Sequence, residues 1–276
     1  SQALLVATTA TANTGLGRAA MCKTTTGANN TVVGYYSMEG NTTGANNTAV
    51  GRTALACNTT ASNNTAVGCK ALAANTTAVE NTAVGRNAML ANTTGANNTA
   101  VGADSLDLST TGAENVSIGS AAHGAAQTGS CNTAVGRSAG GNVTTGSNNT
   151  TVGYGSGTDA VRTINSGNNE IVIGNNSNVG AYIKIDWTVT SDLRDKTNIG
   201  TVPHGLNFVN QLNPISYQFK KSREDDTPHG PQKYGFKAQD ILALEGDNPI
   251  IISNDDEENL KLTSAHLIPV LVNAIK

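Results

Sequence analysis

A glycine recurs at Gly17, Gly34, Gly51, Gly68, Gly85, Gly102, Gly119, Gly136 and Gly153, seventeen residues apart every time. Each closes an Asn-Thr-x-Val-Gly phrase or a close variant of it. A strict period this short requires a structural unit stacked on copies of itself. A helix pair needs more residues than that, and Thr, Val, Asn and Gly disfavour helix. A β-solenoid coil fits. In the coil from Gly85 to Val101, "NTAVG" supplies a short strand ending in a turn glycine, and "NAML" supplies a second apolar stretch before the polar bend "ANTTGAN".

Each coil has little to bury. The candidates are the Val or Ile before the glycine, a small residue three after it (Ala54, Ala71, Ala88, Ser105), and then often Leu or Met (Met38, Leu55, Leu72, Met89). Burying one Leu or Val stabilises by about 1.5–3 kcal/mol, whereas ordering backbone costs about 1–2 kcal/mol per residue. A lone thin coil is therefore marginal, and several chains are expected to share the core. The Asn opening each phrase, from Asn13 and Asn30 to Asn149, keeps the same register. Stacked about 4.8 Å apart, these amides either bond along the column as a ladder or each favour their own turn; the sequence leaves both open. The many Asn-x-Thr triplets follow from the repeat and carry no information about glycosylation.

Composition divides the chain. Residues 1–180 hold seven Lys/Arg and seven Asp/Glu, against ten and thirteen in the remainder, which also holds all six prolines and Trp187. The expected organisation is a repeat region over 1–180, a connecting strand over 181–190 and a second domain over 191–276. A formal net charge of −3 with no basic cluster in the repeat argues against nucleic acid or an anionic membrane as partner. No apolar run is long enough to span a bilayer, and "SQALLVATTATA" has neither the basic leader nor the length of a signal peptide. The first residue is not Met, so a preceding part carrying an attachment function is expected. Cys22, Cys57, Cys69 and Cys131 show no zinc spacing or pairing and read as reduced thiols.

The "NTAVG" coils resemble the Asn-x-Val-Ala-Ile-Gly coils in the heads of trimeric autotransporter adhesins, over roughly residues 10–175. That resemblance implies a parallel β-roll of three chains. The seventeen-residue period is longer than is typical of those heads, so their detailed contacts are not carried over.

After Gly153 the next comparable glycine is Gly174, twenty-one residues on. "AYIKIDWTV" reads as a strand leaving the roll. Beyond it, "ISYQFKK" and "NPIIIS" read as strands, while "GLNFVNQL", "KAQDILAL" and "SAHLIPVLVNAIK" carry apolar residues at helical spacing. Four blocks, "SDLRDKTNI", "GLNFVNQLNPISYQFK", "YGFKAQDI" and "LIPVLVNAI", resemble in order the endosialidase-type intramolecular chaperone domain of bacteriophage tail spikes and fibres, a domain related to one in the myelin regulatory factors. The family usually continues past the equivalent of "LVNAIK" into another helical stretch, whereas this sequence stops at Lys276; truncation or disorder is the expected cause, and either is expected to weaken trimerisation and cleavage.

The resemblance implies that the domain assembles three chains and then cuts itself off with a serine and a lysine, which match Ser191 and Lys196 here. A serine hydroxyl needs a base, and lysine serves only when neutral, which desolvation or a cation such as Arg194 promotes. The scissile bond is expected beside Ser191, on one side or the other, and Asp192 is a candidate for orienting or polarising the site. Spacing alone favours the plainer alternative, in which Ser191 or Asp192 caps a turn and Lys196 is a surface charge. No spacing among His123, His204, His229 and His266 fits a metal site, and no cofactor is expected. His266 is the histidine expected nearest Ser191 and Lys196. Asp104 and Asp107 are the closest carboxylate pair in the repeat, but two such residues do not make a glycosidase, whose acid and partner need opposed positions across a sugar.

The fold class expected is mainly β: a trimeric parallel β-roll or β-solenoid of seventeen-residue coils followed by a small α+β chaperone domain. The function expected is a virion fibre segment for host attachment. Its partners would be its own copies in a homotrimer, tail or baseplate proteins through a preceding N-terminal part, and a host-surface receptor such as a glycan, with no nucleic acid and no membrane insertion. Assembly in a bacterial cytoplasm and residence in the virion follow from the same resemblance. Any enzymatic activity would be a single self-cleavage. The alternatives are a bacterial trimeric adhesin, an ice-binding solenoid suggested by the recurring Thr, and a glycan-degrading spike.

Overall fold

The seventeen-residue period becomes one strand per turn of a parallel sheet. The computed structural model describes residues 8–159, 161–182, 184, 189–220, 223–255 and 257–276. They fall into two units, Ser1–Asn175 and Asn176–Lys276. In the first, β1 (Thr14–Leu16), β2 (Thr31–Val33), β3 (Thr48–Val50), β4 (Thr65–Val67), β5 (Thr82–Val84), β6 (Thr99–Val101), β7 (Val116–Ile118), β8 (Thr133–Val135) and β9 (Thr150–Val152) pair in sequence order, and β12 (Ile171–Ile173) ends the sheet. Register is shifted by one full repeat: Thr48 faces Thr65, Ala49 faces Ala66, and Val50 faces Val67, which in turn faces Val84. Like side chains therefore stand over one another.

The glycine is obligatory because coils stack backbone on backbone. At Gly68 φ is +140°, and a Cβ would lie 2.3 Å from the Gly85 carbonyl oxygen. The second apolar stretch of each coil is not a strand. Thr53 and Leu55 adopt left-handed φ of 54° and 50°. Such a conformation costs an ordinary residue roughly 1–2 kcal/mol. Hydrogen bonding offsets this: the Thr53 N–H donates back to Tyr35 O at 2.9 Å, while Leu55 and Cys57 donate forward to Ala71 O and Ala73 O, both at 3.0 Å.

The core corrects one expectation. In the three-residue strands the middle residue points inward, so Ala49, Ala66, Ala83 and Ala100 are buried and the following Val is not. Val67, Val84, Val101, Ile118, Val135 and Val152 are 36–41% exposed. The other two expected positions are core: Ala54, Ala71, Ala88 and Ser105 are buried, as is the column Met21, Met38, Leu55, Leu72, Met89, Leu106. That column continues through His123 to Gly140 and Gly157. Volume is exchanged between columns, as close packing demands. A Cβ at Gly140 would fall 2.5 Å from the His123 ring, and one at Gly157 would meet the Thr151 methyl at 3.0 Å.

The asparagine column forms the ladder. Asn30 Nδ2 donates to Asn13 Oδ1 at 3.1 Å, and the Asn30 N–H donates to the same oxygen at 2.9 Å. A second buried ladder, which sequence analysis missed, runs through Asn41, Asn58, Asn75 and Asn92. The two converge: Asn47 and Asn58 both donate to Ala61 O, at 2.9 and 3.0 Å. The first ladder ends where Glu170 takes the place of Asn, its N–H donating to Asn149 Oδ1 at 3.0 Å and its carboxylate pairing with Arg162. The four extra residues of this last coil belong to a small hairpin of β10 (Thr158–Asp159) and β11 (Arg162–Thr163), beside which Ile164 fills the core.

The second unit is α+β. It contains α1 (Leu206–Val209), the hairpin of β13 (Ile215–Lys220) with β14 (Pro228–Gly235), α2 (Ala238–Glu245), the short pair β15 (Ile252–Ser253) with β16 (Lys261–Leu262), and α3 (Leu267–Ile275). Phe208, Ile241, Ile251, Ile252, Leu267 and Val270 form its core. The Glu245 carboxylate accepts N–H bonds from Ile250, Ile251 and Ile252 at 2.8, 2.7 and 3.0 Å, tying α2 to β15. Strand β14, which opens on Pro228, was not foreseen; proline is compatible with an edge strand. Half of the connecting strand expected over 181–190, Trp187 included, lies outside the described residues.

Candidate functional site

Ser191 and Lys196 are brought together by a single 3-10 turn over Leu193–Asp195. The turn forms because Asp192 caps it: its Oδ1 accepts the Arg194 N–H at 2.9 Å. The chain then returns to extended geometry at Lys196, whose N–H donates to Leu193 O at 3.2 Å. Lys196 is thereby folded back five residues, and its Nζ donates to Ser191 Oγ at 2.7 Å and to Ser191 O at 2.9 Å. The hydroxyl and amine of a serine–lysine pair are in hydrogen-bond contact within one chain.

Asp192 does not touch that pair through any contact in the structure; its carboxylate holds Arg194. The guanidinium donates from Nε at 3.0 and 3.1 Å and from Nη2 at 2.6 Å. Those side-chain bonds, together with the Arg194 N–H, hold the Asp192 carboxyl below the usual range. Arg194 is thereby paired with Asp192. Ser191 and Lys196 are exposed.

The histidines lie elsewhere. His266 Nδ1 is 2.8 Å from Ile250 O, and the ring lines an apolar cleft of about 240 Å³ with Val202, Ile250, Pro269 and Val270; Ser191 and Lys196 do not line it. His204 stacks on Phe208 with centroids 4.2 Å apart. His123 is wholly buried in the roll, where its Nδ1 meets Ser117 Oγ at 2.9 Å. In the repeat, Asp104 is engaged by Arg86 and by Asn87 Nδ2 at 2.9 Å, while burial and then the nearby Asp104 push the Asp107 carboxyl up. The four cysteines are free thiols. Among the described residues no cluster of His, Cys, Asp or Glu could hold a metal ion, and no helix is long and apolar enough to cross a membrane.

Residues 191–247 match the family model described as the chaperone of endosialidase. The match begins at Ser191 and ends just after α2, so it spans the turn that carries Lys196 but not α3. Neither a curated protein nor a solved structure matches the chain.

Proposed function

We propose that this chain is a segment of a trimeric fibre, registered by its C-terminal chaperone domain, which then severs itself at Ser191. The observation that carries the reading is the juxtaposition at residue 191. A family match to a chaperone begins there, C-terminal to a long solenoid whose last strand ends at Ile173, and its first residue already touches a lysine amine at 2.7 Å.

The chemistry follows from ring size. Ser191 Oγ reaches the carbonyl carbon of Thr190 through a five-membered ring, whereas attack on its own carbonyl requires a strained four-membered one. Lys196, as the neutral amine, takes the hydroxyl proton as Oγ bonds to that carbon. The Thr190–Ser191 C–N bond breaks, and the proton passes to the leaving nitrogen. The result is an ester between Thr190 and Ser191 Oγ with a free amino group on Ser191. Water hydrolyses the ester to the Thr190 carboxylate and a chaperone fragment beginning at Ser191. An ammonium donates and cannot accept, so Lys196 has to lose its proton first. Desolvation on assembly is the natural trigger.

Assembly of the clamp is supported by α3. Leu267 and Val270 are buried, while Ile268, Leu271, Val272 and Ile275 form an exposed stripe at the i, i+3, i+4, i+7 spacing that packs helix on helix. In this reading the fibre is a phage tail component carried in the virion, and its roll attaches to a host-surface receptor; a bacterial trimeric adhesin is the second reading, favoured by the coil resemblance alone. Intact mass under denaturing conditions tests the cut. The wild-type chain is expected to divide between Thr190 and Ser191, and Ser191→Ala is expected to stay whole while folding normally. A cut persisting in Ser191→Ala would eliminate the nucleophile.

A further inference from the structure

The outward face of the roll sheet is more regular than a solvent-exposed surface needs to be. Each strand presents two residues outward. The first is Thr in eight of the ten strands, with Val116 and Ile171 in the others, and the second is Leu16, Val33, Val50, Val67, Val84, Val101, Ile118, Val135, Val152 or Ile173. None of these twenty positions is charged. Strand propensity alone does not explain the division, since Thr meets it as well as Val does. The second column is apolar in every strand although solvent reaches it in most of them.

We infer that the Thr/Val face is the surface through which copies of this chain associate, with the Val column as its apolar seam. Ten strands about 4.8 Å apart make a strip about 43 Å long, and with two side chains across it covers roughly 400 Å² in projection. Half of that strip is the Thr column, so its area is within that of the largest patch on an ordinary monomer, which is often functional; the unbroken apolar column along it is what marks an interaction site. Its occupant has to match a rise of about 4.8 Å per coil over ten strands, and a second copy of this chain, rotated about the stacking direction so that its own Thr/Val face meets this one, does so at every level. A neutral face also lets identical copies meet without placing like charges opposite one another. The inward Ala column fixes the complementary side: each coil is too narrow to take the larger residue, so the larger residue faces the partner.

This inference rests on the trimeric reading, and the test separates the two. Val84→Cys and Val101→Cys are made singly in the full chain, the oligomeric mass is read by sedimentation, and maleimide labelling is followed peptide by peptide, with the exposed native Cys57 as internal reference. The expected result is a trimer in which the introduced thiol reacts about tenfold or more slowly than Cys57, the difference vanishing in denaturant. A trimer whose introduced thiol reacts as fast as Cys57 overturns the inference and leaves the trimeric reading standing. If such a freely labelled face also shapes growing ice crystals, it belongs to ice. A monomer of the unsubstituted chain, measured alongside, overturns both.

Discussion

His123 occupies a position where six preceding coils carry Met or Leu, and its ring spreads into the space left by Gly140. Its Nε2 has no partner and its Nδ1 meets only Ser117 Oγ, so nothing around it compensates a positive charge. Burial lowers its pKa from 6.5 to about 4. The unfolded chain therefore binds the extra proton first as pH falls. The contribution to stability is complete above about pH 6.5 and is lost progressively down to about pH 4, amounting to about 3 kcal/mol in all. Thermal melting is expected to be flat from pH 8 to 6.5 and to fall below it, and His123→Leu, which restores the column's usual residue, is expected to lose less over the same acid range. Equal acid lability in the variant would assign the effect to the carboxylates. The glycine period was legible because a missing Cβ is written directly in the sequence. The phase of the strand was not: in Thr-Ala-Val hydrophobicity favours Val as the buried residue, but coil width admits only Ala.

Among the elements, the coil is held as much by its amides as by its apolar column. Asn64 Nδ2 donates to Ala78 O at 2.9 Å, and its Oδ1 accepts the Asn81 N–H at 3.0 Å. Asn75 also donates to Ala78 O at 3.0 Å, so that oxygen stays satisfied if Asn64 is lost, but the Asn81 N–H does not. Asn64→Ala is expected to destabilise by about 2–4 kcal/mol through the orphaned donor and the cavity. Asn63→Asp, on an exposed row where Asn46 Nδ2 donates to Asn63 Oδ1 at 3.3 Å, is expected to change stability by about 0.5 kcal/mol or less. Denaturant midpoints compare the two, and similar values would mean that the buried ladder adds no more than the exposed one. The first ladder could be read from its strict recurrence, whereas the second is Asn only at Asn41, Asn58, Asn75 and Asn92, with Thr24 before it and Ser109 after. It was passed over because Asn-Thr-Thr reads as an ordinary polar bend. Likewise, a five-residue interval from Ser191 to Lys196 carries no geometry until Asp192 caps a turn between them, so the pair was visible only through family resemblance.

For the whole molecule, the repeat that stabilises the roll also makes its assembly ambiguous. If copies meet along the Thr/Val face, a slip of one coil sets Thr against Thr and Val against Val almost everywhere; only the variant strands, such as Val116–Ile118, register the error. Those substitutions exchange β-branched side chains of similar size, so they discriminate weakly. Parallel pairing of distant segments is also slow, which lengthens the time spent in wrong registers. On the proposed reading, a non-repetitive domain that trimerises first would fix the ends, and the coils would then wind away from it in step. The formed roll would be kept by its unfolding barrier, and the clamp would be dispensable. Deleting residues 191–276 before synthesis is therefore expected to give aggregates or a ladder of misregistered species on native gels, while removing the same residues by an engineered protease site after assembly is expected to leave a heat-resistant trimer. Equal yield and melting temperature from the two routes would mean that the coils find their own register, and the chaperone would then need another role.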